Sequence, residues 1–245
     1  MMGELLFRIR RFYRWEKREK RDLLITILLV AFMFGYNDGR ESFVPIAWFG
    51  HFLLTLFFVS LTVLVFDGAM KVAALHQGYR AEYRMWPQGL AIGVIVTLIT
   101  GGKFYLILPG GLFLHHMMIL RLGKFRYGIN TMAQGVIAAA GPVANLILAT
   151  IALTFSAQLN IMPELFNYMA MINLWFLIYQ LLPIPKINGM HIFFMSRLAY
   201  VFIFSTLASY VLLVQLGIFS WIFAFIIGVV CWFSWLWFFE RTIAP

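Results

Sequence analysis

The run Thr97-Leu98-Ile99-Thr100-Gly101-Gly102-Lys103-Phe104-Tyr105-Leu106-Ile107-Leu108-Pro109-Gly110-Gly111 decides how this chain is laid out. It lies within an apolar stretch, residues 89–114, that is long enough to cross a bilayer. Two glycine pairs and a proline interrupt it, more punctuation than a straight helix tolerates. Two short limbs that enter and leave on the same side fit better, and irregular backbone at that depth must be buried in protein or line a cavity. If the stretch returns, the N-terminal cations share one side with Lys71, Arg80, Arg84, Arg121, Lys124, Arg126, Lys186, Arg197 and Arg241. Only Arg40 and Lys103 then lie opposite. If it crosses, Arg121 through Lys186 change sides. The positive-inside rule favours the return, with both termini cytoplasmic.

Composition fixes the solvent. Of 245 residues, 62% are apolar, 18% aromatic and 12% charged, where soluble domains run near a quarter charged. That much apolar surface requires a membrane. Cys231 is the single cysteine, so there is no internal disulfide and no thiolate cluster for a metal. Apolar runs occur near 23–36, 44–66, 89–114, 129–157, 166–182, 198–217 and 219–239. With the third as a hairpin, the expected fold is an all-α polytopic membrane protein of about six transmembrane helices plus a re-entrant or β-like hairpin.

Residues 4–22 are the long polar stretch, with Arg8, Arg10, Arg11, Arg14, Lys17, Arg18, Lys20 and Arg21. At ~100° per residue, Leu5, Leu6, Ile9, Phe12 and Tyr13 share one arc, and Arg8, Arg10, Arg11, Arg14, Lys17 and Arg18 the other. This pattern predicts one interfacial amphipathic helix over residues 1–22, an appendage to a membrane domain over 23–245. It is too basic, and lacks a small-x-small exit, for a cleavable signal. The formal charge of +9 sits mostly beside membrane segments, which points to orientation and anionic lipid, with ribosomal RNA as the other anionic partner.

Three further stretches recur in a known order. They are Phe66-Asp67-Gly68-Ala69-Met70 with Ala81-Glu82-Tyr83-Arg84-Met85-Trp86-Pro87, then Gly141-Pro142-Val143-Ala144-Asn145, then Pro183-Ile184-Pro185-Lys186-Ile187-Asn188-Gly189. Over most of residues 15–195 the chain resembles the site-2 protease family of intramembrane zinc metalloproteases, above all its archaeal branch. That family reads HExxH, then GPxxN, then PIPxxDG. The resemblance implies a helical bundle with an irregular segment beside the active site, two His and one Asp on zinc, and a Glu that activates the bound water.

Aligned on Lys71 and the run after it, Phe66 and Met70 stand at the two His positions, Asp67 at the Glu and Asn188 at the Asp. Phe has no lone pair, Met offers a neutral thioether that suits copper(I) better than zinc, and Asn offers a neutral carbonyl. A slipped alignment on His76-Gln77-Gly78-Tyr79-Arg80 keeps one ligand and loses two. His51, His115, His116 and His191 read as polar groups satisfied within the bundle or at its rim, or as a relocated metal site. Asp67 is expected to pair with Lys71 at i+4, the other reading being proton handling. Gly68 marks close helix packing. Gly141, Pro142 and Asn145 read as packing residues, and the resemblance makes the Asn a substrate-holding group. Glu82 and Arg84 point the same way on an extended segment and either pair or meet a partner.

The sequence thus implies no catalytic residue, metal or cofactor. It reads as an inactive pseudoprotease that binds other membrane proteins as an assembly factor, chaperone or complex subunit. The alternatives are an active protease with a relocated metal site, or a ribosome- or lipid-docking factor that works through its basic N-terminus. The resemblance places it in a prokaryotic, archaeal-like cell membrane.

Overall fold

The computed structural model describes residues 2–40, 43–116, 128–214, 217 and 219–240. Arg121, Lys124, Arg126 and Arg241, which enter the charge pattern above, lie outside them. The fold is a helical bundle with one two-stranded antiparallel sheet.

The interrupted stretch does return. Strand β1 (Tyr79–Met85) leads into α4 (Pro87–Ile99), the chain turns at Thr100–Phe104, and an extended limb runs back to β2 (Gly110–His116). β2 pairs with β1 from Met85↔Gly110 to Tyr79↔His116, and the Trp86 amide donates to the Pro109 carbonyl at 2.9 Å. The segment therefore leaves and re-enters at one place. The expected hairpin is a helix out and a strand back, and its β partner is the Tyr79–Met85 run.

Local chemistry explains the shape. Pro87 sits at the first helical position of α4, where its missing N–H costs nothing. Gly101 and Gly102 both take positive φ (63° and 74°), and their amides close back onto Leu98 and Thr97 at 3.3 and 2.8 Å. That is a Schellman end to the helix. The returning limb then lies against a glycine face. A β-carbon at Gly89 or Gly93 would collide with the carbonyls of Leu108 and Leu106.

Helix α3 (Pro45–His76) is the trunk. α2 (Lys17–Gly35), α5 (Thr131–Ala157), α6 (Pro163–Leu181) and β1 all pack on it. α7 (Asn188–Met195) packs on α5, and α8 (Arg197–Leu213) pairs with α9 (Phe219–Trp235), which ends in a π turn, Leu236–Glu240. Of the expected six spans, three described helices are long and apolar enough to cross a membrane: Pro45–His76, Thr131–Ala157 and Phe219–Glu240. α2 is weighed down by its charged first turns and α8 is only 17 residues long.

The N-terminus departs from the single expected helix. α1 (Met2–Phe12) ends before a non-helical link, Tyr13–Glu16, and Lys17 already belongs to α2. The expected boundary at residue 22 thus falls inside α2, where Glu19 and Asp22 are buried. Nor does the apolar arc of α1 face outward only. Leu5, Ile9 and Tyr13 lie along Leu64, Gly68, Val72 and His76 of α3. Arg8 leaves the free basic face and donates to the Leu75 and His76 carbonyls at 3.0 and 3.3 Å, which caps the end of α3. Since Trp15 meets Asp67 and Tyr13 lies over Gly68, α1 runs antiparallel to the last turns of α3.

Arg80 bonds Glu16 and Lys71 bonds Glu19 at the α1 end. Gly102, beside Lys103, packs on Tyr36 and Asn37 near Arg40 at the other.

Gly93→Val should therefore cost about 3 kcal/mol, the upper range for overpacking. Gly50→Ala, where a β-carbon meets nothing within 4 Å, should leave stability unchanged or slightly raised. Thermal unfolding in detergent, followed by intrinsic fluorescence, measures both.

Candidate functional site around Phe66 and Asn188

The family positions lie in the middle of the bundle, and each has its own packing task. Phe66 is buried and meets Phe176 edge-on, ring centroids 5.3 Å apart. Across from it is Gly141, where a β-carbon would come within 2.7 Å of the ring tip. Thus the small residue of the Gly141-Pro142 turn of α5 makes room for an aromatic ring. Met70, one turn on, is fully buried.

Asn188 opens α7 and is also fully buried. Its Oδ1 accepts the Leu112 amide at 2.9 Å and its Nδ2 donates to Gln180 Oε1 at 3.0 Å. Gln180 in turn donates to the Gly110 carbonyl at 3.2 Å. The two amides fasten the outer edge of β2 to α6 and α7. Gly111 lies so close beneath that a β-carbon there would stand 2.8 Å from the Lys186 carbonyl.

Asp67, the next residue along α3, meets the link between α1 and α2. Trp15 Nε1 donates to its Oδ2 at 2.8 Å, and its Oδ1 is buried with no protein partner. The expected Asp67–Lys71 pair does not form. Lys71 Nζ instead reaches Glu19 at 2.6 Å and the Ala81 carbonyl at 3.0 Å. Gly68 is indeed a close-approach point, its α-carbon covered by the Tyr13 hydroxyl. Asn145, one turn beyond Gly141, is fully buried with both amide atoms unpartnered, and Asn173 Oδ1 on α6 is likewise unpartnered.

At the rim, Glu82 and Arg84 do pair, at 3.4 Å, and His115 joins Glu82 at 2.9 Å. The Arg84 guanidinium stacks 3.6 Å from the Phe113 ring. Burial pushes the Glu82 carboxyl up, but the His115 hydrogen bond and the Arg84 and His115 charges outweigh it, so its pKa sits below the ordinary value. These side chains, with Glu16, Arg18 and Arg80, line a cavity of about 680 Å³ between the α1–α2 elbow and the sheet.

The histidines do not converge. His115 and His116 point to opposite faces of β2, the second against Tyr79, while His51 lies beside Tyr168. His191 bonds the Leu112 backbone. Among the described residues, no three His, Cys, Asp or Glu side chains group to hold a metal ion. The donor set at the family positions is an aromatic ring, a thioether and an amide whose two polar atoms are already engaged. It does not fit zinc.

The chain is similar to a protein of Methanocaldococcus jannaschii named "Putative zinc metalloprotease", with 28% identity over 187 residues, 72% of this chain and 84% of the relative. This likeness supports a site-2 protease-like family as the frame for the fold. No family model matches, and no solved structure matches. With its apolar helices, the chain is a membrane protein related in sequence to a protease-like one.

Trp15, Glu19 and Gln180 were not singled out from sequence. Nothing in a basic segment marks one Glu or Trp as internal. Gln180 precedes the Pro183-Ile184-Pro185 turn by too little to be read apart from the apolar run.

Two variants test the framework by thermal or chemical unfolding in detergent. Lys71→Met, which strands the buried Glu19 charge, should cost about 3–5 kcal/mol, and adding Glu19→Gln should restore most of it. Asn188→Asp removes the donor to Gln180 and buries a charge, and should cost about 3 kcal/mol at neutral pH.

Proposed function

We propose that this protein is a non-proteolytic membrane scaffold on a site-2 protease-like fold, which holds other membrane proteins as an assembly or complex subunit. The observation that carries this reading is Asn188. At the position where the resemblance puts the third zinc ligand, an amide uses both polar atoms to brace β2. Phe66 supports it, since its ring fills the space beside Gly141 that a ligand and its metal would need. On this reading, the α1 end of the bundle is cytoplasmic, as its gathered Arg and Lys residues favour, and the host membrane is that of a prokaryote.

An active protease with a relocated metal is the second reading, favoured by the name of the Methanocaldococcus relative. Metal stoichiometry separates the two. After dialysis against a chelator, the purified chain should carry no zinc above background by elemental analysis. Phe66→His, Asp67→Glu, Met70→His and Asn188→Asp together should gain zinc in the fraction that folds. One zinc per wild-type chain, lost when His115 and His191 are both changed to Ala, would overturn the scaffold reading. Purification from native membranes at mild salt should then recover a membrane-protein partner in fixed ratio to the chain.

A further inference from the structure

Asp67 accepts from Trp15 and is buried, and the other acids at the α1 end are paired with cations. Glu4 pairs with Arg8, Glu16 with Arg80 at 2.6 Å, Glu19 with Lys71 at 2.6 Å, Asp22 with Arg21 at 3.2 Å, and Glu82 with Arg84 and His115. Arg10, Arg11, Arg14, Lys17, Arg18 and Lys20 remain exposed, and among the described residues none of them has an acidic partner. A surplus of cations so close together favours an outside anion.

The surroundings identify its class. Leu6 and Phe7 are each 57% exposed on the same short helix, and the Arg11 guanidinium lies within 6 Å of the Phe7 and Phe12 rings, at 5.9 and 5.6 Å. Between α1 and α3 runs an open, largely apolar groove of about 730 Å³, lined by Leu5, Ile9, Tyr13, Leu64, Ala69 and Val72 among others. α3 has 32 residues, hence a length of ~48 Å against a hydrocarbon thickness of ~30 Å. Its last turns, and α1 beside them, therefore stand at headgroup level. Cations, exposed apolar side chains and an apolar groove together at that depth match a phospholipid. A nucleic acid would use the cations and leave the groove and Leu6 and Phe7 bare.

We propose that α1 and the last turns of α3 form a binding site for an anionic phospholipid. Its phosphate is held by the unpaired cations of residues 10–18, and an acyl chain lies in the α1–α3 groove. The site is independent of the zinc question, because none of its residues stands at a family ligand position.

The test is native mass spectrometry of the full chain in detergent. Added phosphatidylglycerol is compared with phosphatidylcholine of the same chains, and a single-stranded RNA homopolymer forms a third arm. Wild type should retain phosphatidylglycerol in preference. Arg10→Gln, Arg11→Gln and Arg14→Gln together should weaken that retention on the order of a hundredfold, from about 1 kcal/mol per cation. Ala69→Phe, which fills the groove with every charge in place, should also weaken it. Melting temperatures in detergent without lipid verify that each variant is folded, and the wild-type preference stands as a test without them. Equal retention of the two lipids by wild type overturns the site. So does wild-type-like retention by the triple variant, or by Ala69→Phe, which would leave only diffuse surface charge. RNA binding without a lipid preference overturns it in favour of a nucleic-acid surface.

Discussion

The buried Glu19–Lys71 pair is the constraint on which the α1 end of this bundle depends. Glu19 belongs to the first turn of α2 and Lys71 to α3, and both are nearly inaccessible. Glu19 Oε1 also accepts the Tyr83 amide at 2.8 Å, and Lys71 also donates to the Ala81 carbonyl at 3.0 Å. Two opposite charges thereby occupy the free edge of β1 and tie three elements together. Such a pair adds little net stability over a well-packed apolar substitute, because desolvation offsets the attraction. Its effect is on register: a slip of β1 by one residue would turn the Tyr83 amide and the Ala81 carbonyl away from the pair and leave both backbone groups without these partners. The Tyr83 hydroxyl extends the same anchor to the Pro109 carbonyl at 2.8 Å, where the re-entrant limb rejoins the sheet.

The second edge of the sheet is closed by neutral groups. Asn188 and Gln180 take the Leu112 amide and the Gly110 carbonyl. A two-stranded sheet is marginal by itself. Here charge pairs on one side and amides on the other replace the missing neighbouring strands. The positions that the resemblance singles out each carry a structural task. Phe66 fills the bundle between α3, α5 and α6, and Asn188 holds β2. Placing metal ligands there would remove packing and hydrogen bonds that the fold uses, so a gain of metal binding would come with a loss of stability.

Several features could be read from sequence because they rest on local rules. Gly101-Gly102 and Pro109-Gly110 demanded a reversal, and the Schellman turn and the Met85↔Gly110 pairing provide it. Glu82 and Arg84 were expected on one face of a strand, and they pair. At the N-terminus helical periodicity continues through Tyr13–Glu16, but the chain bends there, and Trp15 reaches Asp67. The candidate site was legible as positions and not as contacts.

The sequence by itself determined that the chain needs a membrane, that its third apolar stretch doubles back, and that Phe66, Met70 and Asn188 stand at the positions the resemblance singles out. Only the tertiary structure decided which partner each polar group takes. Lys71 had an acid one turn away at Asp67, the choice that local spacing favours. It took Glu19, because folding brings α2 and β1 together at the lysine tip, where the acid and two backbone groups can all be satisfied at once. Spacing sets which contacts are available within one helix. In an interior without water, the choice goes to the arrangement that leaves the fewest charges and hydrogen-bonding groups unpaired, and that arrangement is a property of the assembled bundle.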